Sequence, residues 1–393
     1  MSSKILVTDG RSLAALAVIR SLGLKGNEIH CGESFRHNLS SYSRYVDERV
    51  TYPDPGETPD RFVDFLHRVC QQENYDLVIP VRDETTVQLS KHRDEFAEVT
   101  NVLLAAFETL SPLMDKGETV KIAQQAGVPV PKTWFPEETN VTQIKDEIAY
   151  PVLIRPRRSS GARGIEYVES DREFSRRYAQ VEREYGRPIV QEYIDHSGGH
   201  YSIGTVFDTD SNEVATHVYR EVKQYPASGG PAVTAISVPP PAWTREMLKI
   251  FEFVGWVGPA HMDVLYDPVS KEPKLLEVNP RLWMSLQISI SSNVDFPELI
   301  RKLGLGLELE ADTGEEYTTT SVYRWVLPNE ILWLLTADDK IQGVREFVAF
   351  DREQQCFGTL SVTDPVPTVG TVIQSIQFLS DHEKRDKIFN RGW

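Results

Sequence analysis

Two segments of the chain hold side chains of the kind that manage phosphate and metal: VLIRPRRSSGARGIEYV, from Val152, and HMDVLYDPVSKEPKLLEVNPR, from His261. In the first, a strand delivers Arg155 and then Arg157 to a loop of small residues, Ser159, Ser160, Gly161 and Gly164. Backbone N–H groups of such a loop can fold over a phosphate, and the serine hydroxyls add donors. The same text also fits a strand hairpin with a solvated basic turn. In the second segment Glu277 and Asn279 alternate along one strand and project to one face. Asp263 reaches that face if its strand is an antiparallel neighbour, joined through the turn DPVSKEP. Three converging oxygen ligands suit magnesium, which completes its shell with waters and substrate phosphates. Arg281, two residues beyond Asn279, can offer its planar fork to a phosphate or to a phosphoryl group in transfer. Alone, the E-x-N-x-R pattern equally describes an edge strand of alternating polar residues; its combination with the glycine loop gives it weight.

These residues must be positioned by alternating strands and helices. KILV, Asn27 to Cys31 and YDLVIPV read as short buried strands, separated by the helical patterns LAALAVIRSLG and Pro59 to Val69. That order predicts a parallel, doubly wound sheet. Its ligand end would carry Asp9 and Gly10 after the first strand and Arg82, Asp83 and Glu84 after the third, although each also fits a cap or a solvated loop. No G-x-G-x-x-G follows the first strand and no G-x-x-x-x-G-K-[ST] occurs, so a nicotinamide dehydrogenase and a Walker-type ATPase lose ground.

From Ser111 the texture changes: SPLMDKGETVKIAQQAG reads as one helix ending at Gly127, then VPVPKTWFP as an extended connection. Ser170 and Glu173 predict a capping box for the helix DREFSRRYAQVEREYG. PIVQEYI, HYSIGTVFD, EVATHVYREV and AVTAISV read as strands, a helix from about Thr244 to Phe253 follows, and two more strands end at Asn279. This run of strands around few helices is α+β in character, unlike the α/β opening. Beyond residue 310 the text is mixed and suggests no chemistry.

Length and composition agree with several packed units. At roughly 150 residues per domain, 393 residues predict two or three, and 40% hydrophobic with 25% charged residues supply a sizeable core. Acidic residues outnumber basic ones 58 to 42, a net charge of −16 that disfavours a nucleic-acid partner. The three cysteines, Cys31, Cys70 and Cys356, lie far apart and suggest neither a disulfide framework nor a zinc site. With no apolar run of membrane-span length and no signal-peptide pattern at MSSKILVTDG, the expectation is a cytoplasmic protein without a membrane partner.

DKGETVKIAQQAGVPVP, VLIRPRRSSGARG, VQEYI and LLEVNPR, in this order and spacing, resemble the ATP-grasp superfamily of carboxylate–amine and carboxylate–thiol ligases. The resemblance covers about the first 300 residues, and its nearest flavour is the single-unit, carbamoyl-phosphate-synthase-like predicted carboligases. It implies a Rossmann-like preceding domain over residues 1–110, a two-lobed ATP-grasp domain over 111–310 (lobes about 111–190 and 191–310) and a small mixed extension over 311–393. It implies ATP and Mg²⁺ as cofactors, with Mn²⁺ as an alternative, small-molecule carboxylate and amine substrates, and a homodimer.

Carried over by position, the resemblance implies that Lys116, which follows Asp115, and Arg155, in place of a usual lysine, contact the phosphates. The loop with Ser159, Ser160, Gly161 and Gly164 would cover them, and Gln191, Glu192, Tyr193 and Ile194 would form the adenine-binding hinge. Asp263, Glu277 and Asn279 would hold metal, while Arg281 would stabilise developing anionic charge. Lys223 would reach the γ-phosphate, though it also reads as a solvated strand edge. Where relatives place a ribose-binding glutamate this chain has His200, with Asp195 as a substitute, and His261 stands where several relatives have arginine. The activity implied is conversion of a carboxylate to an acyl phosphate, then displacement of phosphate by an amine or similar nucleophile. The alternatives are bicarbonate or formate phosphorylation on the same scaffold, and a non-enzymatic ATP-binding protein.

Overall fold

The computed structural model describes residues 2–159, 161–225, 230–309, 317–336, 339–348 and 355–380. Ser160 and the Ser228–Gly229 pair, expected near phosphate and substrate, lie outside the described residues.

The chain opens with four parallel strands, β1 (Lys4–Val7), β2 (Glu28–Glu33), β3 (Glu48–Thr51) and β4 (Leu77–Ile79), ordered β3-β2-β1-β4. Alternation along β1 divides two cores. Ile5 and Val7 pack with the helix Leu13–Leu24 on one face, whereas Leu6 packs with Phe62 and Leu66 of the helix Pro59–Glu73 on the other. The first helix starts where the Ser12 hydroxyl accepts from Ala14 N–H, and it is apolar on nearly every side because it is enclosed on every side. Sequence reading missed β3: ERVT sits at the sheet edge, mostly exposed, without a burial pattern to betray it.

The expected single helix before Gly127 is two, Phe107–Leu113 and Lys116–Gln125. Asp115 makes the break, because its Oδ1 accepts from the N–H groups of Gly117 and Glu118 and so starts a new helix. Lys116 thereby becomes the first residue of that helix.

A small sheet follows, with β5 (Thr133–Trp134), β6 (Val152–Arg155), β7 (Glu166–Val168) and β8 (Ile189–Glu192), antiparallel in the order β5-β8-β6-β7. The helix Asp171–Tyr185 lays Phe174, Tyr178 and Val181 against Val152, Ile154 and Val168. Its capping box is only half made. Glu173 reaches back to Glu169 N–H at 2.8 Å, one residue beyond the expected target, and the Ser170 hydroxyl makes no cap bond.

The large sheet contains β9 (His200–Phe207), β10 (Glu213–Gln224), β11 (Ala232–Ser237), β12 (Gly258–Asp267), β13 (Glu272–Asn279), β14 (Val322–Arg324) and β15 (Gln355–Phe357). Their order is β13-β12-β9-β10-β11-β14-β15. Met247, Leu248 and Phe251 of the helix Thr244–Val254 close one face over Phe207 and Met262. On the other face Tyr219, Trp283 and Tyr323 share a core with the helix Leu13–Leu24, so the first sheet and the large sheet are joined by buried apolar contact. Residues past 310 thus extend this sheet through β14 and β15, and they return to the start of the chain where Asp364 receives Arg20 at 2.9 Å.

Candidate active site

Lys116 projects from the first turn of its helix, where Nζ meets Glu277 Oε2 at 3.1 Å and donates to the Ser159 carbonyl at 2.6 Å. Arg155 ends β6 and is 4% exposed. Its Nη1 donates to Gln191 Oε1 at 2.6 Å and to the Leu276 carbonyl at 3.2 Å, while Nη2 lies 3.5 Å from Glu277 Oε2. Gln191 in turn donates to Thr133 Oγ1, so this fully buried side chain orients Arg155.

β12 and β13 are antiparallel, with Asp263 opposite Glu277 and His261 opposite Asn279, the geometry required for the three oxygen ligands to converge. Asn279 Nδ2 lies 3.3 Å from Asp263 Oδ2 and 3.5 Å from Glu277 Oε1. A half-turn of that amide would present Oδ1 to the same space. Two carboxylates and one amide oxygen are the hard donors magnesium takes, and Lys116 and Arg155 beside them suit phosphates that share the metal, so the residues present fit both Mg²⁺ and ATP.

Arg281 reaches toward the first sheet. Its Nε donates to Asp83 Oδ1 at 2.8 Å, and Nη2 lies 3.3 Å from Asn279 Oδ1. Asp83 begins the helix Asp83–Lys91 directly after β4, so this ion pair ties the strand ends of the first sheet to the candidate metal ligands. The Asp9 carboxylate holds that corner: it accepts from Thr85 Oγ1 at 2.6 Å and from the N–H groups of Val81 and Arg82.

One cavity of about 1080 Å³ connects these groups. Arg155, Gly161, Gln191, Glu192, Tyr193, Ile194, Asp263, Glu277, Asn279 and Arg281 line it, together with Arg82, Asp83, Glu84 and the later residues Trp325, Pro328 and Gln374. Left-handed backbone at Gly161 and Ala162 turns the loop there. Lys116, Ser159 and Gly164 are not among the lining residues, and Gly164 packs beside Tyr185 and Pro156. Arg157 points away, to Asp115, Glu118 and Glu137.

Lys223 is placed elsewhere than expected. Its Nζ pairs with Glu346 at 2.8 Å and stands 4.1 Å from the Trp333 ring centroid, held by the region after residue 310. Asp195 caps a turn by accepting from Ser197 N–H, and His196 and His200 line the cavity instead.

Sequence reading overlooked Glu221. It lies on β10 two residues beyond Tyr219, paired in register with His200, and the Ser202 hydroxyl bonds both Glu221 Oε1 and Asp263 Oδ1 at 3.0 Å. His200, Glu221 and Asp263 bring ligand atoms within 4.8 Å of one another. Two-residue alternation through His217, Tyr219 and Glu221 was the available signal.

The electrostatics follow from burial and these partners. Burial alone would raise the Glu277 carboxyl, but Lys116 and Arg155 hold it below the usual glutamate value. Burial also opposes ionisation of Asp263, and His261 and His200 overcome it, keeping this carboxyl well below the usual range. Glu221 is raised by burial and by Asp263. His200 resists burial through Glu221 and Asp263, which raise it to about 9. His261 is lowered by burial, with Arg281 adding to the effect.

Two sheets of mainly antiparallel strands, with basic groups from one and carboxylates from the other, define a fold of the grasp type. Residues 113–285 match the family model of the ATP-grasp domain, and the chain carries such a domain. It is similar to the C-terminal section of the carbamoyl phosphate synthase large chain of Methanopyrus kandleri, 27% identical over 213 residues. That match covers 50% of this chain and 38% of the relative. It is also similar to a D-alanine–D-alanine ligase of Kineococcus radiotolerans, 24% identical over 237 residues that cover 51% of this chain and 61% of the relative. The chain therefore covers less than two thirds of either relative's length. In fold it resembles the biotin carboxylase of Campylobacter jejuni, with a TM-score of 0.67 and 18% identity across 82% of this chain and 74% of that one. Among the described residues no helix is long and apolar enough to cross a membrane.

Proposed function

We propose that this protein is an ATP- and magnesium-dependent ligase of the cytoplasm that activates a small-molecule carboxylate as an acyl phosphate and couples it to an amine or similar nucleophile. The observation that carries the reading is that Arg155, Asp263, Glu277, Asn279 and Arg281 line one cavity that continues to the strand ends of the first sheet, with Lys116 held 3.1 Å from Glu277. In the first step a carboxylate oxygen bonds to the γ-phosphorus of ATP and the bond to ADP breaks. In the second the amine lone pair attacks the acyl carbon, the bond to phosphate breaks, and the amine proton passes to solvent.

Lys116 and Arg155 hold the nucleotide phosphates, and Gln191 keeps Arg155 aimed at them. Gly161 and Ala162, the loop residues on the cavity wall, cover them. Backbone groups of Glu192, Tyr193 and Ile194 take the adenine edge. Asp263, Glu277 and Asn279 would hold Mg²⁺, which would supply charge neutralisation to the phosphates. Arg281, fixed by Asp83, meets the charge that grows on the transferring group. This chemistry needs alignment and charge compensation more than covalent help from the protein.

Glu277→Gln tests the assignment. The variant should bind ATP and unfold at a near-normal urea midpoint, while ADP formation falls by about 100-fold or more; ADP production near the wild-type rate sinks the assignment. A second reading, bicarbonate as the phosphorylated acid, is favoured by the similarity to the carbamoyl phosphate synthase section. Labelled bicarbonate would enter a product under that reading alone.

A further inference from the structure

A cavity of about 1080 Å³ exceeds the roughly 300–1,000 Å³ that one small ligand commonly needs. Beyond Asn279 it opens onto the loop that follows β4. Where that loop ends, the helix-capping Arg82 and the first helical residues Asp83 and Glu84 present charges of both signs in sequence, and all three line the cavity. Asp83 is committed to Arg281 at 2.8 Å. Arg82 and Glu84 pair through one contact of 3.4 Å between side chains 41% and 46% exposed, and Arg11 adds a weaker attraction on Glu84. Such a pair is worth little and exchanges readily for better partners. Leu39, Trp325 and Pro328 add an apolar surface to the same cavity, and Leu39 is 3% and Trp325 5% exposed.

We infer that the amine substrate is an α-amino acid with an apolar side chain, bound by exchange into the Arg82–Glu84 pair. Its carboxylate takes the Arg82 guanidinium, its ammonium takes the Glu84 carboxylate, and its side chain lies toward Leu39, Trp325 and Pro328. A zwitterion suits this pair because both of its charges sit on one carbon, matching two opposite charges in contact. A simple amine leaves Arg82 without a new partner, and a simple acid leaves Glu84 without one. The inference rests on the ligase reading above and names the nucleophile which that reading leaves open.

Calorimetric titration in the presence of Mg-ADP tests it, with L-leucine and L-phenylalanine compared with isoamylamine, phenethylamine, 4-methylpentanoate and 3-phenylpropionate. The amino acids should bind at least about 10-fold more tightly than the matched amines and acids, and Arg82→Gln and Glu84→Gln should each remove about 10-fold of that advantage. L-Leucine should also bind more tightly than L-glutamate. Thermal unfolding of both variants reports their folding, and Arg82→Lys, which keeps the charge, should recover part of the loss. Equal binding of amines and amino acids, no amino-acid binding to the Mg-ADP complex, or folded variants with unchanged preference would overturn the inference. Failure of the ligase reading is distinguishable: it appears as absence of ADP and of trapped acyl phosphate with every acid, whereas failure of this inference leaves those signals in place.

Discussion

Replacing Asp364 by alanine should cost the protein about 4 kcal/mol. The Asp364 carboxylate is 1% exposed, and its Oδ2 accepts from Arg20 Nε at 2.9 Å and from Ser43 Oγ at 2.8 Å, while Oδ1 accepts from Arg44 N–H at 2.9 Å. Arg20 is itself only 10% exposed at its side chain, and its other bonds run to the carbonyls of Thr359 and Asp364. Alanine leaves a buried guanidinium without its counter-charge, a change that costs about 3–5 kcal/mol, and it strands two neutral donors whose cost overlaps with the first. Asparagine keeps an acceptor and should lose less, about 2 kcal/mol. The double variant Arg20→Met with Asp364→Leu removes both charges and should return to within about 2 kcal/mol of the parent. Urea unfolding followed by tryptophan fluorescence measures all three. The site should feel the change too, because the helix Val366–Ser380 begins just after Asp364 and carries Thr371 and Gln374 to the cavity wall. A loss below about 1 kcal/mol for Asp364→Ala, or a double variant no better than the single one, would refute the reasoning.

Lys223→Ala should cost about 1 kcal/mol through its ion pair with Glu346 and its contact with Trp333, and should lower kcat by less than about threefold, against about 100-fold for Arg281→Gln. A large kcat loss at an unchanged urea midpoint would instead return Lys223 to the γ-phosphate. His200 is raised to about 9 from an unfolded value near 6.5. Its charge therefore stabilises the native state fully below about pH 6.5, and that contribution fades as pH rises through about 9. In metal-free protein His200→Gln should flatten the stability curve between those limits, and an unchanged slope counts against the His200, Glu221 and Asp263 cluster. Gly204→Ala would set a methyl 2.1 Å from Trp283 Cζ2 on the wall of the cavity; a loss of about 1–3 kcal/mol is expected in thermal unfolding, and a neutral result means Trp283 moves freely.

Fold class was legible because local patterns were strong: the apolar helix from Leu13, the short strands KILV and YDLVIPV, and the alternation of Glu277 and Asn279 all point where the chain goes. Asp263 could be placed opposite Glu277 because a short turn joins their strands. Contacts between distant segments left no comparable trace. Glu221 meets His200 and Ser202 only because β10 lies beside β9, and Lys223 turns to Glu346, more than a hundred residues away along the chain. The helix break at Asp115 was missed for a different reason. Its carboxylate competes for the backbone N–H groups of Gly117 and Glu118, a capping choice that an apolar pattern does not record.

The central claim is that the groups around Glu277 make an acyl phosphate. It is tested most directly by incubating the protein with Mg-ATP and pools of carboxylic acids, with hydroxylamine as a trap, and measuring ADP and hydroxamate together. The account predicts ADP and hydroxamate in matching amounts with a restricted set of acids, both lost in Glu277→Gln. A preparation that binds ATP yet yields neither product with any pool, bicarbonate and formate included, would contradict it.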